Sequence, residues 1–294
     1  MAFQPSCGVI TGWVDQGADW WAKVRRAESH IETVADLETD YLRRSAWQLE
    51  GEPGPVPHRT LLRLRISEPV PVELALATGD ALHGLSSALD ALAFAMARET
   101  FGPALDLDDR LQRQTEFPVQ LSRKGLVDWW DHKQRRQLYS EGDIEALWRG
   151  QSVYWSAFAR AELGKPDITV DEAPDEVEYD QLSRLRRLHN IDKHRRLHVV
   201  VFSPDVPHWG SNGTSLRRVA LEPVWRDGHV VAVVDDPPSD AQDTDMVWDL
   251  RLSLDEGQHH RPLVNELRSL AQTVGQCLTE TLSHLDGAAP PTSM

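Results

Sequence analysis

The chain has 294 residues, of which 40% are hydrophobic and 26% charged, and its formal net charge is −15. This composition excludes a disordered or collagen-like protein, and the acidic balance argues against a general nucleic-acid binder. No apolar run approaches the roughly 20 residues that span a bilayer, and the first residues lack the features of a secretory leader. Cys7 and Cys277 form neither a disulfide framework nor a metal motif. We therefore predict a cytoplasmic protein with no membrane partner.

Four long helices are predicted from apolar residues spaced three and four positions apart. The first covers residues 15–50 and precedes a cluster of prolines and glycines that stops it. The second, at about 71–99, is apolar almost all round, which is typical of the centre of a bundle. The third covers about 175–196 and the last covers 261–285.

Strand signals occur in two places. Residues 59–67 alternate charged and apolar side chains, which predicts a half-buried strand. After residue 197, four β-rich runs separated by turn residues predict antiparallel strands: LHVVVFS, SLRRVALEPV, HVVAVVDD and MVWDLRLSL. Between the second and third long helices we expect shorter helices at 123–136, 142–148 and 152–163, and a short edge segment at TEFPVQL.

These elements predict an α+β fold: a bundle of about four long helices with a small antiparallel sheet inserted between the third and fourth. We expect a single domain over residues 1–286. Its helical core would comprise 15–196 and 261–286, its β-rich insert 197–260, and the tail at 287–294 would be disordered.

The end of the third helix concentrates the chemistry of the chain. Residues 184–198, RLRRLHNIDKHRRLH, hold six permanent cations, three histidines and one acid. Helix positions seven apart are nearly eclipsed and about 10.5 Å apart along the axis, so Arg187 and His194 share a stripe, with Asn190 one turn before the histidine. An imidazole can transfer protons near neutral pH, and a guanidinium can stabilise phosphate oxygens. The pattern predicts metal-free RNA cleavage, with Arg187 and His194 catalytic and Asn190 orienting.

The spacing Arg187-x6-His194 at the end of a helix resembles the Rx4–6H motif of the HEPN superfamily. That resemblance implies an RNA-binding protein or metal-independent ribonuclease that works as a homo-oligomer, commonly a dimer, without a cofactor. Leu188 stands where HEPN nucleases usually have a polar residue.

Three segments are similar to a widespread bacterial family of uncharacterised function: GDALHGLSSALDALA (79–93), TEFPV (115–119) and LHNIDKHRRL (188–197). The pattern of that family is nearer to GDxLHNLRSALDHLA and LxNxDKHR. Gly84, Ser86 and Ala91 stand where it has Asn, Arg and His. These departures favour an alternative function, a non-enzymatic interaction module that binds a partner protein.

A second polar cluster is predicted between the second and third long helices. His83 and Asp90 are seven apart on one helix, and His189 and Asp192 are three apart on the other. A buried aspartate needs a partner, so we expect Asp90 to meet His189, and Asp192 to meet His83 or an arginine. The cluster predicts either a structural clamp, which we prefer, or the site of a metal-dependent enzyme. We assign no metal ligand.

A second basic cluster covers residues 124–136. Lys133, Arg135 and Arg136 stand beside Trp129 and Trp130. The combination of cations and aromatic rings indicates either an extended RNA surface or an ordinary amphipathic helix.

Overall fold

The computed structural model describes residues 18–44, 47–155, 180–194, 199–202, 216–218, 224–225, 227–235, 251–254 and 261–286. These residues are mostly helical with antiparallel β-structure, which confirms the predicted α+β class. The helices are α1 (Ala18–Arg43), α2 (Val72–Phe101), α3 (Asp109–Gln112), α4 (Arg123–Asp131), α5 (Glu141–Arg149), α6 (Gln181–His194) and α7 (Leu263–Leu285). There are more helices than the four long ones of the predicted bundle, because the short helices expected at 123–136 and 142–148 are present as α4 and α5, and α3 was not predicted. Most of the short helix expected at 152–163 lies outside the described residues.

Helix α1 buries most of its apolar stripe: Val24, Ala27, Ile31, Val34 and Tyr41 are at most 5% exposed. Leu37, the sixth apolar residue of the same spacing, is only half-buried. The helix ends at Arg43, earlier than the predicted 50, because the chain enters a strand at Trp47. The glycine and proline residues that were expected to stop a helix lie instead within and just after this strand.

The length of α2 agrees with the prediction, and so does its burial over most of its surface. Leu74, Leu82, Leu85, Leu92 and Met96 are completely buried. The expectation that α2 lies in the centre of a bundle is wrong at the start of the helix, where the apolar side chain of Leu76 is 63% exposed.

The described strands form two antiparallel sheets. The strands are β1 (Trp47–Pro53), β2 (Arg59–Ile66), β3 (Val199–Phe202), β4 (Leu216–Arg218), β5 (Val224–Trp225), β6 (Val230–Asp235) and β7 (Arg251–Leu254). One sheet has the order β1-β2-β6-β4, and the other has the order β5-β3-β7. The predicted position of the sheet is wrong, because β1 and β2 precede α2. Strand β1 pairs with β2, and β2 pairs with β6 in a register in which Thr60 opposes Val234.

The segment TEFPV forms no strand, contrary to the expected edge segment. Pro118 lacks the N–H that a ladder needs, and side chains bind the neighbouring backbone instead. The N–H of Phe117 donates to Asp90 (3.0 Å), and the N–H of Gln120 donates to the side-chain oxygen of Gln151 (3.0 Å).

The chain forms two compact units. One comprises residues 1–29, 80–190 and 268–294, and its described elements are helical; the other comprises 30–79 and 191–267 and contains both sheets. In the second unit, the buried carboxylate of Glu38 accepts a hydrogen bond from the N–H of Leu252 (3.0 Å) and so connects α1 to β7. The predicted single domain with a helical core and a β-rich insert stays a prediction. Among the described helices, none has the length and apolar character needed to cross a bilayer.

Candidate functional site

Helix α6 has one buried and one exposed face. The leucines at positions 182, 185 and 188 are at most 2% exposed, so they fix which side of the helix faces the core. The exposed residues are polar or cationic: Arg186, Arg187, Asn190 and Lys193. We call these four residues the cationic face. Arg186 and Arg187 lie between Leu185 and Leu188 in sequence, and Asn190 and Lys193 follow at steps of three and four, so the helical period directs all four to solvent.

Two of the three predicted catalytic residues, Arg187 and Asn190, lie on the cationic face. They are three positions apart, so they are neighbours on the helix surface. His194 is the last residue of α6, and its side chain lies outside the described residues. The catalytic pairing of Arg187 with His194 therefore stays a prediction.

The two histidines of the predicted polar cluster contact each other. Nδ1 of His83 lies 3.3 Å from Nε2 of His189, and the ring centroids are 5.4 Å apart. His189 is buried, whereas His83 is exposed. A hydrogen bond between two imidazoles needs a bare nitrogen on one ring, so at least one of the two is neutral while the contact lasts. Sequence reasoning expected histidine–aspartate pairs and missed this contact.

The two aspartates of the cluster contact the backbone. Asp90 accepts the hydrogen bond from the N–H of Phe117. The carboxylate of Asp192 lies against Gly79, where a Cβ would be only 2.7 Å from Oδ1. Both contacts connect chain segments, and the choice between a structural clamp and a metal-dependent enzyme stays a prediction.

These contacts join the three segments that resemble the bacterial family. Asp192 packs on Gly79 and His189 contacts His83, which connects 188–197 to 79–93. The hydrogen bond of Asp90 connects 79–93 to 115–119. The quoted motif residues thus have a shared structural role. Sequence reasoning missed the role of Gly79, although the Gly-Asp pair at the start of the motif was the available signal.

The departure from the family pattern at Gly84 has a packing reason. A Cβ at Gly84 would lie 3.0 Å from the Cβ of Ala27, so α1 approaches α2 closely at this point. One turn further along α2, Ser87 accepts a hydrogen bond from Nζ of Lys23 at 2.7 Å. An asparagine at position 84 would need α1 to move away. The glycine therefore belongs to helix packing.

The second basic cluster is largely used within the fold. The guanidinium of Arg135 lies 4.5 Å from the ring centre of Trp129 and donates to the carbonyl of that residue (3.0 Å), and burial lowers the pKa of Arg135. Arg136 stacks on Trp130 at 4.3 Å and pairs with Asp131 at 2.5 Å. Both tryptophans therefore have arginine partners within the protein.

The described residues include no group of three His, Cys, Asp or Glu side chains arranged to hold a metal ion. The chain matches no protein-family model, and comparisons with curated proteins and with solved structures gave no significant match. The two family resemblances therefore stay predictions based on the quoted motifs.

Proposed function

We propose that the chain binds RNA on the cationic face of α6 and cleaves it without a metal ion, as a HEPN-like ribonuclease. Arg187 and His194 are the catalytic pair, and Asn190 orients the substrate. The observation that carries the proposal is the exposure of Arg187 and Asn190 on the side of α6 opposite its buried leucines.

The charge of the cationic face favours an anionic ligand over a neutral one. The cationic face contains three permanent cations, in a chain whose formal net charge is −15. Phosphate groups are the anions for which exposed arginine and lysine side chains along a helix are best suited. A binding face of this kind predicts affinity that falls as salt is added.

The proposed reaction is transesterification at a phosphodiester. The 2′-oxygen forms a bond to phosphorus as its proton leaves to an imidazole, and the bond from phosphorus to the 5′-oxygen breaks as that oxygen receives a proton. Position 194 shares a helix stripe with Arg187, whose guanidinium would donate to the non-bridging oxygens as their charge grows. Two copies in a homo-oligomer would supply the base from one His194 and the acid from the other.

The test is cleavage of a labelled single-stranded RNA in the presence of EDTA. We expect cleavage to leave a 2′,3′-cyclic phosphate, and a 2′-O-methyl version of the same RNA to stay intact. Arg187→Ala and His194→Ala should each lower the rate by at least about 100-fold, as expected for loss of an acid–base or electrostatic contribution. Arg43→Ala is the matched control, because it removes an exposed arginine of α1 that pairs with Asp40.

Retained cleavage by the Arg187→Ala, His194→Ala double variant would contradict the proposal. RNA binding without cleavage, lost on substitution of the cationic face, would leave only the binding function. Absence of both would favour the partner-protein alternative.

A further inference from the structure

A pocket of about 610 Å³, lined by charged and amide side chains, lies in the helical unit, where α3 meets the turn that follows α4. Its volume falls within the range of about 300–1,000 Å³ that small-molecule sites occupy. The lining residues are Asp109, Arg110, Arg113, Gln114, Lys133 and Gln134. Three cations and one carboxylate give the pocket an excess of positive charge, in a protein whose overall charge is strongly negative.

The three cations of the pocket form no ion pair among the described residues. Five other cations of the same unit are paired: Arg98 with Asp106, Arg123 and Arg149 with Glu145, Lys124 with Asp128, and Arg136 with Asp131. The positive charge of the pocket is therefore available to a ligand, whereas the charges of these five cations are neutralised within the fold.

Hydrogen bonds fix the position of Gln114 in the lining of the pocket. Gln114 is 6% exposed, and its side chain accepts from the N–H of Gln134 (3.2 Å) and donates to the carbonyl of Arg110 (3.3 Å). The buried Arg135 donates through Nε to the carbonyl of Gln114 at 3.4 Å. Gln114 thus connects the two chain segments that line the pocket, and the guanidinium of Arg135 binds its backbone carbonyl.

Lys133 has a left-handed backbone conformation, with φ of 59°. Non-glycine residues adopt this region rarely, and such conformations cluster at functional sites. Lys133 and the next residue, Gln134, both line the pocket.

We propose that this pocket binds the phosphate groups of a small ligand that carries two or more phosphates. Guanidinium groups bind phosphate oxygens through paired N–H donors, and the ammonium of Lys133 adds a third positive point. One phosphate dianion cannot contact three separate cations as fully as a di- or triphosphate can. The pocket shares no residue with the cationic face of α6, so this proposal and the ribonuclease proposal can be tested independently.

The test is isothermal titration of the full chain with inorganic pyrophosphate, followed by inorganic phosphate and a nucleoside triphosphate. We expect pyrophosphate to bind with a dissociation constant below about 1 mM and inorganic phosphate to bind more weakly. Arg113→Gln and Lys133→Asn should each weaken binding at least about tenfold. Asparagine tolerates the left-handed conformation, so Lys133→Asn removes the charge without straining the turn.

Two further variants distinguish binding at this pocket from nonspecific electrostatic attraction. Asp109→Asn should tighten pyrophosphate binding, because it removes the carboxylate that opposes the ligand. Lys124→Gln removes an equal charge outside the pocket, from a lysine paired with Asp128, and should leave binding unchanged. Circular dichroism checks that each variant folds. A nucleoside triphosphate that binds more tightly than pyrophosphate would assign the ligand to nucleotides.

The proposal is overturned if folded protein binds no pyrophosphate at about 5 mM. It is also overturned if Lys124→Gln and the pocket variants weaken binding equally. Binding of a short RNA, but not of pyrophosphate, that depends on Arg113 would replace the proposal with an RNA contact.

Discussion

Gly79 of α2 lies directly beneath the carboxylate of Asp192 in α6. A Cβ at Gly79 would be 2.7 Å from Oδ1 and 2.8 Å from Oδ2 of this aspartate. Real Cβ atoms do not approach oxygen so closely, so a side chain at position 79 would displace the carboxylate of Asp192. Glycine inside a helix normally costs about 0.5–1 kcal/mol relative to alanine. The close approach of α6 explains why it is present here.

We therefore predict that Gly79→Ala lowers the free energy of unfolding, by about 1–3 kcal/mol. Asp192→Ala should remove most of this penalty in the double variant, because the atoms that clash are the carboxylate oxygens. Gly275→Ala in α7 is the control: its nearest neighbour is Trp21 at 4.0 Å, so helix propensity should stabilise the protein by up to about 1 kcal/mol. Urea denaturation measures all four variants. Equal effects of the two glycine substitutions would contradict the prediction.

The long helices could be predicted from the sequence because their signal is local. In α7 the apolar residues spaced three and four positions apart are all buried: Leu263, Leu267, Leu270, Val274, Leu278 and Leu282. Strand β1 could not be predicted in this way, since Gly51 and Pro53 are ordinarily signals that break structure. Its pairing with β2, supported by an ion pair between Glu52 and Arg63 at 3.0 Å, overrides those local signals.

The candidate site was only partly predictable for a related reason. The helical period assigns His83 and His189 to stripes on their helices, but it does not give the stagger of one helix against the other. That stagger decides whether a histidine meets an aspartate or another histidine. The pocket around Arg113 gave no signal, because it is formed by a short helix and a turn that have no long apolar period.

The contact between His83 and His189 predicts energetic coupling. His83→Ala removes one partner of the hydrogen bond, and we expect the free energy of unfolding to fall by about 1 kcal/mol. A double-mutant cycle with His189→Ala should show a coupling of at least about 0.5 kcal/mol. His132→Ala serves as the control, since this exposed histidine after α4 has no side-chain hydrogen bond among the described residues, and its effect should stay within about 0.5 kcal/mol. Strict additivity of the two cluster substitutions would show that the contact contributes nothing.

Glu145 of α5 predicts a pH-dependent contribution to stability. Burial raises the pKa of this carboxyl, but hydrogen bonds from Arg149 and Arg123 together outweigh burial, so the pKa is lowered. A lowered pKa stabilises the folded state above the unfolded-state pKa, and the gain disappears as pH falls through the folded-state value. Glu145→Gln should therefore lower the free energy of unfolding most near neutral pH. We expect a loss of less than about 1 kcal/mol, because the paired side chains are about a third exposed.

Urea denaturation across the acid range checks this expectation. The difference between the wild-type protein and Glu145→Gln should shrink toward zero near about pH 3. Glu99→Gln carries the same change of charge at an exposed position of α2 and should show a flatter dependence. The same slope in both variants would mean that the effect comes from net charge and not from the two arginine contacts.

Cys277 should be unreactive in the folded protein. Its thiol in α7 is completely buried, and burial raises its pKa well above the ordinary value, so almost no thiolate forms. In a Cys7→Ser variant, which leaves Cys277 as the single thiol, we expect a disulfide reagent at about pH 8 to react only as fast as the protein opens. Denaturant should make the reaction complete within the mixing time. Gly150 packs closely on this thiol, since a Cβ added to the glycine would lie 3.4 Å from the sulfur. Fast stoichiometric reaction without denaturant would instead show that this packing opens readily in the native state.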